Sequence, residues 1–249
     1  MIFPEERLRF AYSYEIQNIK GVTVAMTVSV RIFSDLVCPF CYIGSGVIKK
    51  LQQEFDLRAE WVSYELHPET PENGVLLTER FPDFDPEPLF EELRTKGAPY
   101  GCVFGDVKLL PNSRKALEAG EFARDHGMYG AFHAEAFRAY FTEARDIGDA
   151  AVIEEIAGNI GLDPTTTLQA VAQRRYEDRL RKRREEGATR DVTVLPTFLI
   201  SNGARIVGLR SIDVFRKTIL EPPRPSVMVQ AKTLDSANGG AALSLPHPK

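Results

Sequence analysis

Two cysteines stand where the hydrophobic pattern changes period. From Thr27 to Ser34, Val28, Val30 and Ile32 alternate with Ser29 and Arg31, the period-two signature of a strand. Cys38-Pro39-Phe40-Cys41 follows at once. After it Val47, Ile48, Leu51 and Phe55 recur at helical spacing, with Lys49, Lys50, Gln52 and Gln53 on the other side. Residues Ala59 to Leu66 read as a second strand, so residues 27–66 predict a strand, helix, strand unit with a right-handed parallel crossover. A C-x-x-C beside such a pattern points to a redox pair.

The chemistry follows from that position. Unpaired amides and the positive end of a helix dipole converge where a strand gives way to a helix, which favours a thiolate at Cys38. Cys41, one helical turn deeper, is placed to attack a mixed disulfide at Cys38 and release the partner. Pro39 suits the first helical position, because its ring sets φ and it lacks an amide that would find no helical partner. Phe40 offers apolar surface beside the attacking sulfur. Two other readings compete. Zinc needs a fuller ligand set, and the sequence holds no second C-x-x-C and no H-x3-5-H, so no metal is expected. The two cysteines could also be simple core residues, since Cys is often buried.

Further along, the pattern predicts an insertion between two sheet-forming regions. Residues from His67 to about Asp85 are rich in Pro, Glu, Thr and Asp and read as a surface connection. Helical patterns follow at Pro88 to Lys96, from a cap at Asn112 to Gly127, at Ala131 to Ala144 and at Asp149 to Asn159. Another runs from Asp163-Pro164 to roughly Gly187. The strand pattern returns at Val192 to Ile200, turns at Asn202-Gly203 and continues through Arg205 to Val207, before a last helix at Ser211 to Leu220. The domain reading is an N-terminal extension at 1–26, a core made of 27–66 and 190–221, a helical insertion at 67–189 and a flexible tail at 222–249.

Within Val194-Leu195-Pro196-Thr197-Phe198, the proline interrupts an apolar strand pattern and removes a ladder donor. A cis Leu195-Pro196 bond would turn the Leu195 backbone outward as a short docking edge for an extended peptide, with Thr197 supporting the turn. A trans proline at a strand start serves the pattern equally well.

Composition excludes several classes. With 31 basic and 35 acidic residues in 249, the net charge is −4, which argues against general nucleic-acid binding. No stretch reaches the ~18 apolar residues of a membrane span. The first residues carry charges where a signal peptide needs an apolar run of ~7–15 residues, so the expected compartment is the cytoplasm, where a close cysteine pair is catalytic or metal-binding rather than structural.

Together the two segments resemble the DsbA family of thioredoxin-fold oxidoreductases, with the FrnE-like branch as the nearest likeness. The residues that carry the resemblance are Ser34-Asp35 before Cys38-Pro39-Phe40-Cys41-Tyr42-Ile43-Gly44, then Glu65-Leu66-His67-Pro68, Asn112-Ser113 with Ala116, and Leu195-Pro196-Thr197-Phe198, over residues 27 to 220. The resemblance implies an α/β thioredoxin-like fold with an inserted all-helical subdomain. It also implies Cys38 as nucleophile, Cys41 as resolving cysteine and a cis Pro196 facing them. Periplasmic relatives carry Pro-His between the cysteines, so Pro-Phe implies a less oxidising couple. The Gly that relatives commonly place two residues before the Val-Pro pair is absent from Asp191-Val192-Thr193-Val194-Leu195.

The expected activity is thiol–disulfide exchange on protein or small-molecule thiols, with no tightly bound cofactor and with glutathione or a thioredoxin-type dithiol as redox partner. The alternative is a glutathione-dependent reaction resembling 2-hydroxychromene-2-carboxylate isomerase or the kappa-class transferases, which commonly carry Ser at the position of Cys38. A binding protein without turnover is a third reading. Monomer and homodimer both remain open. His67 and Asn112 are candidate groove residues, although a surface turn suits His67 as well. Cys102 reads as packing. Phe132, Phe137, Tyr140 and Phe141 read as core or groove lining. The basic run Arg179 to Arg184 reads as a solvated face with Glu177–Arg181 and Asp178–Lys182 pairs.

Overall fold

A computed structural model of the chain describes residues 27–83 and 85–223. The extension at 1–26 and the tail from 224 onward lie outside the described residues. In chain order the strands are β1 (Val28–Ser34), β2 (Leu57–Ser63), β3 (Val75–Leu76), β4 (Leu109–Leu110), β5 (Thr197–Ile200) and β6 (Arg205–Val207). The helices are α1 (Pro39–Leu51), α2 (Leu77–Arg80), α3 (Pro86–Gly97), α4 (Arg114–Asp125), α5 (Tyr129–Phe137), α6 (Ala150–Asn159), α7 (Pro164–Ala172), α8 (Glu177–Thr189) and α9 (Ile212–Ile219).

The main sheet has the order β2-β1-β5-β6. β1 and β2 are parallel in the register Val28↔Leu57 to Ser34↔Ser63, joined through α1 as the βαβ pattern predicts. β5 runs antiparallel to β1, with Phe33 opposite Thr197, and β6 closes the hairpin after a turn in which Gly203 takes φ 83°. β1 is therefore central, which is why Ile32 and Phe33 on opposite faces are both fully buried.

The polypeptide between β2 and β5 is mostly helix, and tertiary contacts redraw several of its expected boundaries. The connection after β2 is not plain loop: β3 pairs with β4 across Val75↔Leu110, and α2 follows. α3 starts earlier, at Pro86, capped by the Asp85 carboxylate on the Glu87 amide. The cap of α4 is Ser113 rather than Asn112, although Asn112 Oδ1 does accept the Arg114 N–H at 3.0 Å. α5 loosens into a π-helical turn at Arg138–Thr142. The single long helix expected from Asp163 is two, α7 and α8. Arg174 adopts φ 51° in the break, and Tyr176 packs edge-on to Phe122 and bonds Asp125 at 2.9 Å. β2 ends at Ser63, and β5 begins only at Thr197.

The basic run also departs from a simple solvated face. Asp178 pairs with Arg181 and Glu177 with Arg174. Arg179 reaches back to Glu121 and Asp125 on α4, and Arg183 to Glu60 on β2. Phe132, Phe137, Tyr140 and Phe141 are buried in one core that also takes in β1 and α1.

Candidate active site at the first strand-to-helix turn

β1 ends at Ser34, and Asp35-Leu36-Val37 turn the chain into α1. Cys38 occupies the N-cap position, with Pro39 at the first helical position. The Asp35 carbonyl accepts the Cys38 N–H at 3.2 Å, and the Cys38 carbonyl accepts the Cys41 N–H at 3.0 Å and that of Tyr42 at 3.2 Å. Both cysteines are free thiols. Cys38 is 3% exposed and Cys41 fully buried. Phe40 lies partly buried against the core.

Cys41 is held as a thiol. Burial pushes its ionisation well above the usual range, and the adjacent Cys38 adds to this, while the Ser34 hydroxyl and the Asp35 main chain favour the thiolate. Asp35 is fully buried beneath the turn. Its carboxylate accepts the Leu66 N–H at 2.6 Å, the Ser113 hydroxyl at 3.1 Å and the Val37 N–H at 3.4 Å. Burial still prevails, and its pKa is raised to about 6. One carboxylate thereby binds the cysteine turn, the segment leaving β2 and the start of α4.

The Leu195-Pro196 bond is cis, as the resemblance implies and as pattern alone left open. Pro196 packs on α1: a Cβ on Gly44 would lie 3.5 Å from Pro196 Cγ. Its carbonyl accepts the Gly208 N–H at 2.8 Å, and Thr197 Oγ1 donates to the Val194 carbonyl at 2.6 Å. The ladder to β1 starts at Thr197, so the Leu195 main chain lies outside it. Val194 beside it is 47% exposed.

The remaining candidates divide. His67 Nδ1 stands 3.3 Å from Glu69, a carboxylate that also takes Arg80. Asn112 spends its amide nitrogen on the Thr70 carbonyl at 2.6 Å. Their chain neighbours, Leu66 and Ser113, are the ones that reach Asp35. Cys102 is 5% exposed with Sγ 3.5 Å from the Tyr42 carbonyl, and burial pushes its thiol up to about 11, which suits packing. Among the described residues no group of His, Cys, Asp or Glu side chains is arranged to hold a metal ion. Sequence reasoning named Ser34, Asp35 and Ser113 only as parts of a motif. The available signal was an acid placed directly before the cysteine turn.

Comparison with known proteins gives four relations. The DSBA-like thioredoxin domain matches residues 29–220. The uncharacterized protein YwbO of Bacillus subtilis (strain 168) is 28% identical over 78% of this chain and 96% of its own. Among solved structures, the probable DsbA oxidoreductase SCO1869 from Streptomyces coelicolor superposes with a TM-score of 0.71 at 22% identity, covering 88% of this chain and 94% of that one. A 2-hydroxychromene-2-carboxylate isomerase superposes with a TM-score of 0.60 at 16% identity, covering 85% of this chain and all of that one. The thioredoxin-like fold is common to both structures, so the fold alone does not choose between their chemistries.

Proposed function

The chain belongs to the DSBA-like thioredoxin domain family, and from that premise we propose that it is a thiol–disulfide oxidoreductase working through Cys38 and Cys41. The observation that carries the reading is a free thiol at the N-cap of α1 with a second free thiol one turn inside the same helix. An isomerase or transferase chemistry has no use for the second sulfur.

Cys38 is the entry sulfur. From the N-cap of α1 its sulfur attacks a substrate disulfide and forms a mixed disulfide. Cys41 then displaces the substrate thiol and closes the Cys38–Cys41 bond. Run in reverse, the same steps oxidise a substrate dithiol. Val194, exposed beside the buried Leu195, supplies the surface beside which an extended partner would lie. The two cysteines carry the electrons, so no bound cofactor is needed, and glutathione or a thioredoxin-type dithiol resets the pair. We place the reaction in a reducing compartment such as the cytoplasm.

Cys38→Ser is expected to abolish dithiol-dependent insulin reduction while the circular dichroism spectrum is preserved. Retained activity overturns the assignment. A glutathione redox titration, trapped by alkylation and read by intact mass, separates the rival: an intramolecular disulfide supports exchange, whereas glutathione that binds without forming it favours the isomerase or transferase class.

A further inference from the structure

Ser34 closes β1 and is 3% exposed, yet its hydroxyl has no hydrogen-bond partner among the described residues. Buried hydroxyls without partners are destabilising and few in native folds. The isolation is particular to this one atom. The Ser34 carbonyl accepts the Tyr64 N–H at 2.9 Å, and both carboxylate oxygens of the next residue, Asp35, are engaged.

The Cys41 sulfur is the group to weigh against it. That sulfur is fully buried, the Cys38 sulfur opposes charge on it, and the Ser34 hydroxyl favours charge on it together with the Asp35 main chain. A neutral thiol is a weak acceptor, whereas a thiolate accepts strongly. We propose that the Ser34 hydroxyl is the donor for the Cys41 thiolate, unpaired in the resting dithiol and engaged only while that sulfur carries charge.

The inference rests on the exchange reading above and says how its second step is made possible. In that step Cys41 gives up its proton and its electron pair attacks Cys38 Sγ. The Cys38–Cys41 bond forms, the bond from Cys38 to the substrate sulfur breaks, and the departing thiolate takes up the proton that Cys41 gave up. The cysteine pair is oxidised by two electrons and the substrate disulfide is reduced to two thiols. In reverse, Cys41 is the leaving thiolate. Either way charge develops on Cys41 in a site closed to water, and a contact made only then lowers the barrier without deepening the resting state.

The test mixes reduced full-length protein with oxidised glutathione, quenches by acid and alkylation at intervals, and reads intact mass. Dithiol, glutathione adduct and intramolecular disulfide are then counted separately. Ser34→Ala is expected to acquire glutathione at the wild-type rate but to resolve the adduct about 10-fold or more slowly, as expected for a lost bond to a charged group. Ser34→Thr, which keeps the hydroxyl, should restore resolution, and Ser34→Cys, with a weaker donor, should fall between. Reduced Ser34→Ala should melt no lower than wild type, because it removes an unpaired group, whereas a purely structural serine would lower the melting point and leave resolution unchanged. Equal resolution rates in wild type and Ser34→Ala overturn the proposal, as does a Ser34→Thr variant that resolves no faster than Ser34→Ala. A wild-type protein that never passes from adduct to intramolecular disulfide instead overturns the exchange reading, and this inference falls with it.

Discussion

At the scale of single residues, Asp35 sets a pH dependence whose sign follows from its burial. A carboxyl with an unfolded pKa near 3.8 and a folded value of about 6 binds its proton more tightly in the native state. Its contribution is therefore most favourable below the unfolded value and is lost as pH rises through the folded one, by about 3 kcal/mol for a shift of two pH units. Denaturant titrations at about pH 4 and pH 7 should show wild type losing stability relative to Asp35→Asn by that order, and a difference independent of pH would refute it. The cysteines were legible one by one, because a C-x-x-C at a change of period has few structural uses. Ser34 and Asp35 were legible only as neighbours of that motif. What makes them chemical is that the Leu66 amide, the Ser113 hydroxyl and the Cys41 sulfur gather around them, and these groups come from three separate stretches of chain.

Elements add a constraint that residue types alone do not convey. α1 bears the cysteines on its first turn and packs through its second turn against the 3-10 segment Ala98–Tyr100. A Cβ at Gly46 would lie 2.7 Å from the Tyr100 carbonyl oxygen and 3.2 Å from Cys102 Sγ. Gly46→Ala must push that backbone away, at a cost of about 1–3 kcal/mol, which a shifted urea midpoint would register, while an unchanged midpoint would contradict the close packing. Periodicity located β1, α6 and α9 closely, because each has one apolar stripe and a clear start, whereas the stripe of α1 runs on to Phe55 and the helix ends at Leu51. It failed where neighbours intervene. Nothing local in Asp163 to Gly187 announces a break, since Gln173, Arg174 and Arg175 are all acceptable helix formers. The chain turns because Tyr176 finds Asp125 and Phe122 on α4. The two-residue pairing of β3 with β4 is likewise too short for any period to reveal.

Across the whole molecule, the sheet and the helices between β2 and β5 share one core. Tyr42, next to Cys41, stacks on Phe141 with centroids 5.3 Å apart and the planes 5° from parallel. Arg114 on α4 makes a two-pronged ion pair with Glu65. Fully buried Glu121 accepts the Ser63 hydroxyl at 2.7 Å and Arg124 Nε at 3.0 Å, and Arg179 lies 3.3 Å away. Trp61 fluorescence, reporting β2, and far-UV circular dichroism, dominated by the helices, should therefore trace one coincident unfolding transition. Glu121→Ala removes the buried carboxylate that Ser63, Arg124 and Arg179 share, but leaves Arg179 on Asp125 and Arg124 on the Trp61 carbonyl, and should cost about 1–3 kcal/mol. Separate transitions, or a loss below about 1 kcal/mol, would show the interlock to be weak. The sequence by itself determined the βαβ opening and the turn that holds the cysteines, because period and spacing are local quantities that survive without a partner; the family came from the resemblance of the motifs themselves. Pattern left the Leu195-Pro196 bond open and the resemblance implied it cis, as it is; only the tertiary structure decided that Asp35 is buried with a raised pKa and that the Ser34 hydroxyl has no partner among the described residues. These depend on how much water each group loses and which distant groups replace it, and a one-dimensional pattern carries neither.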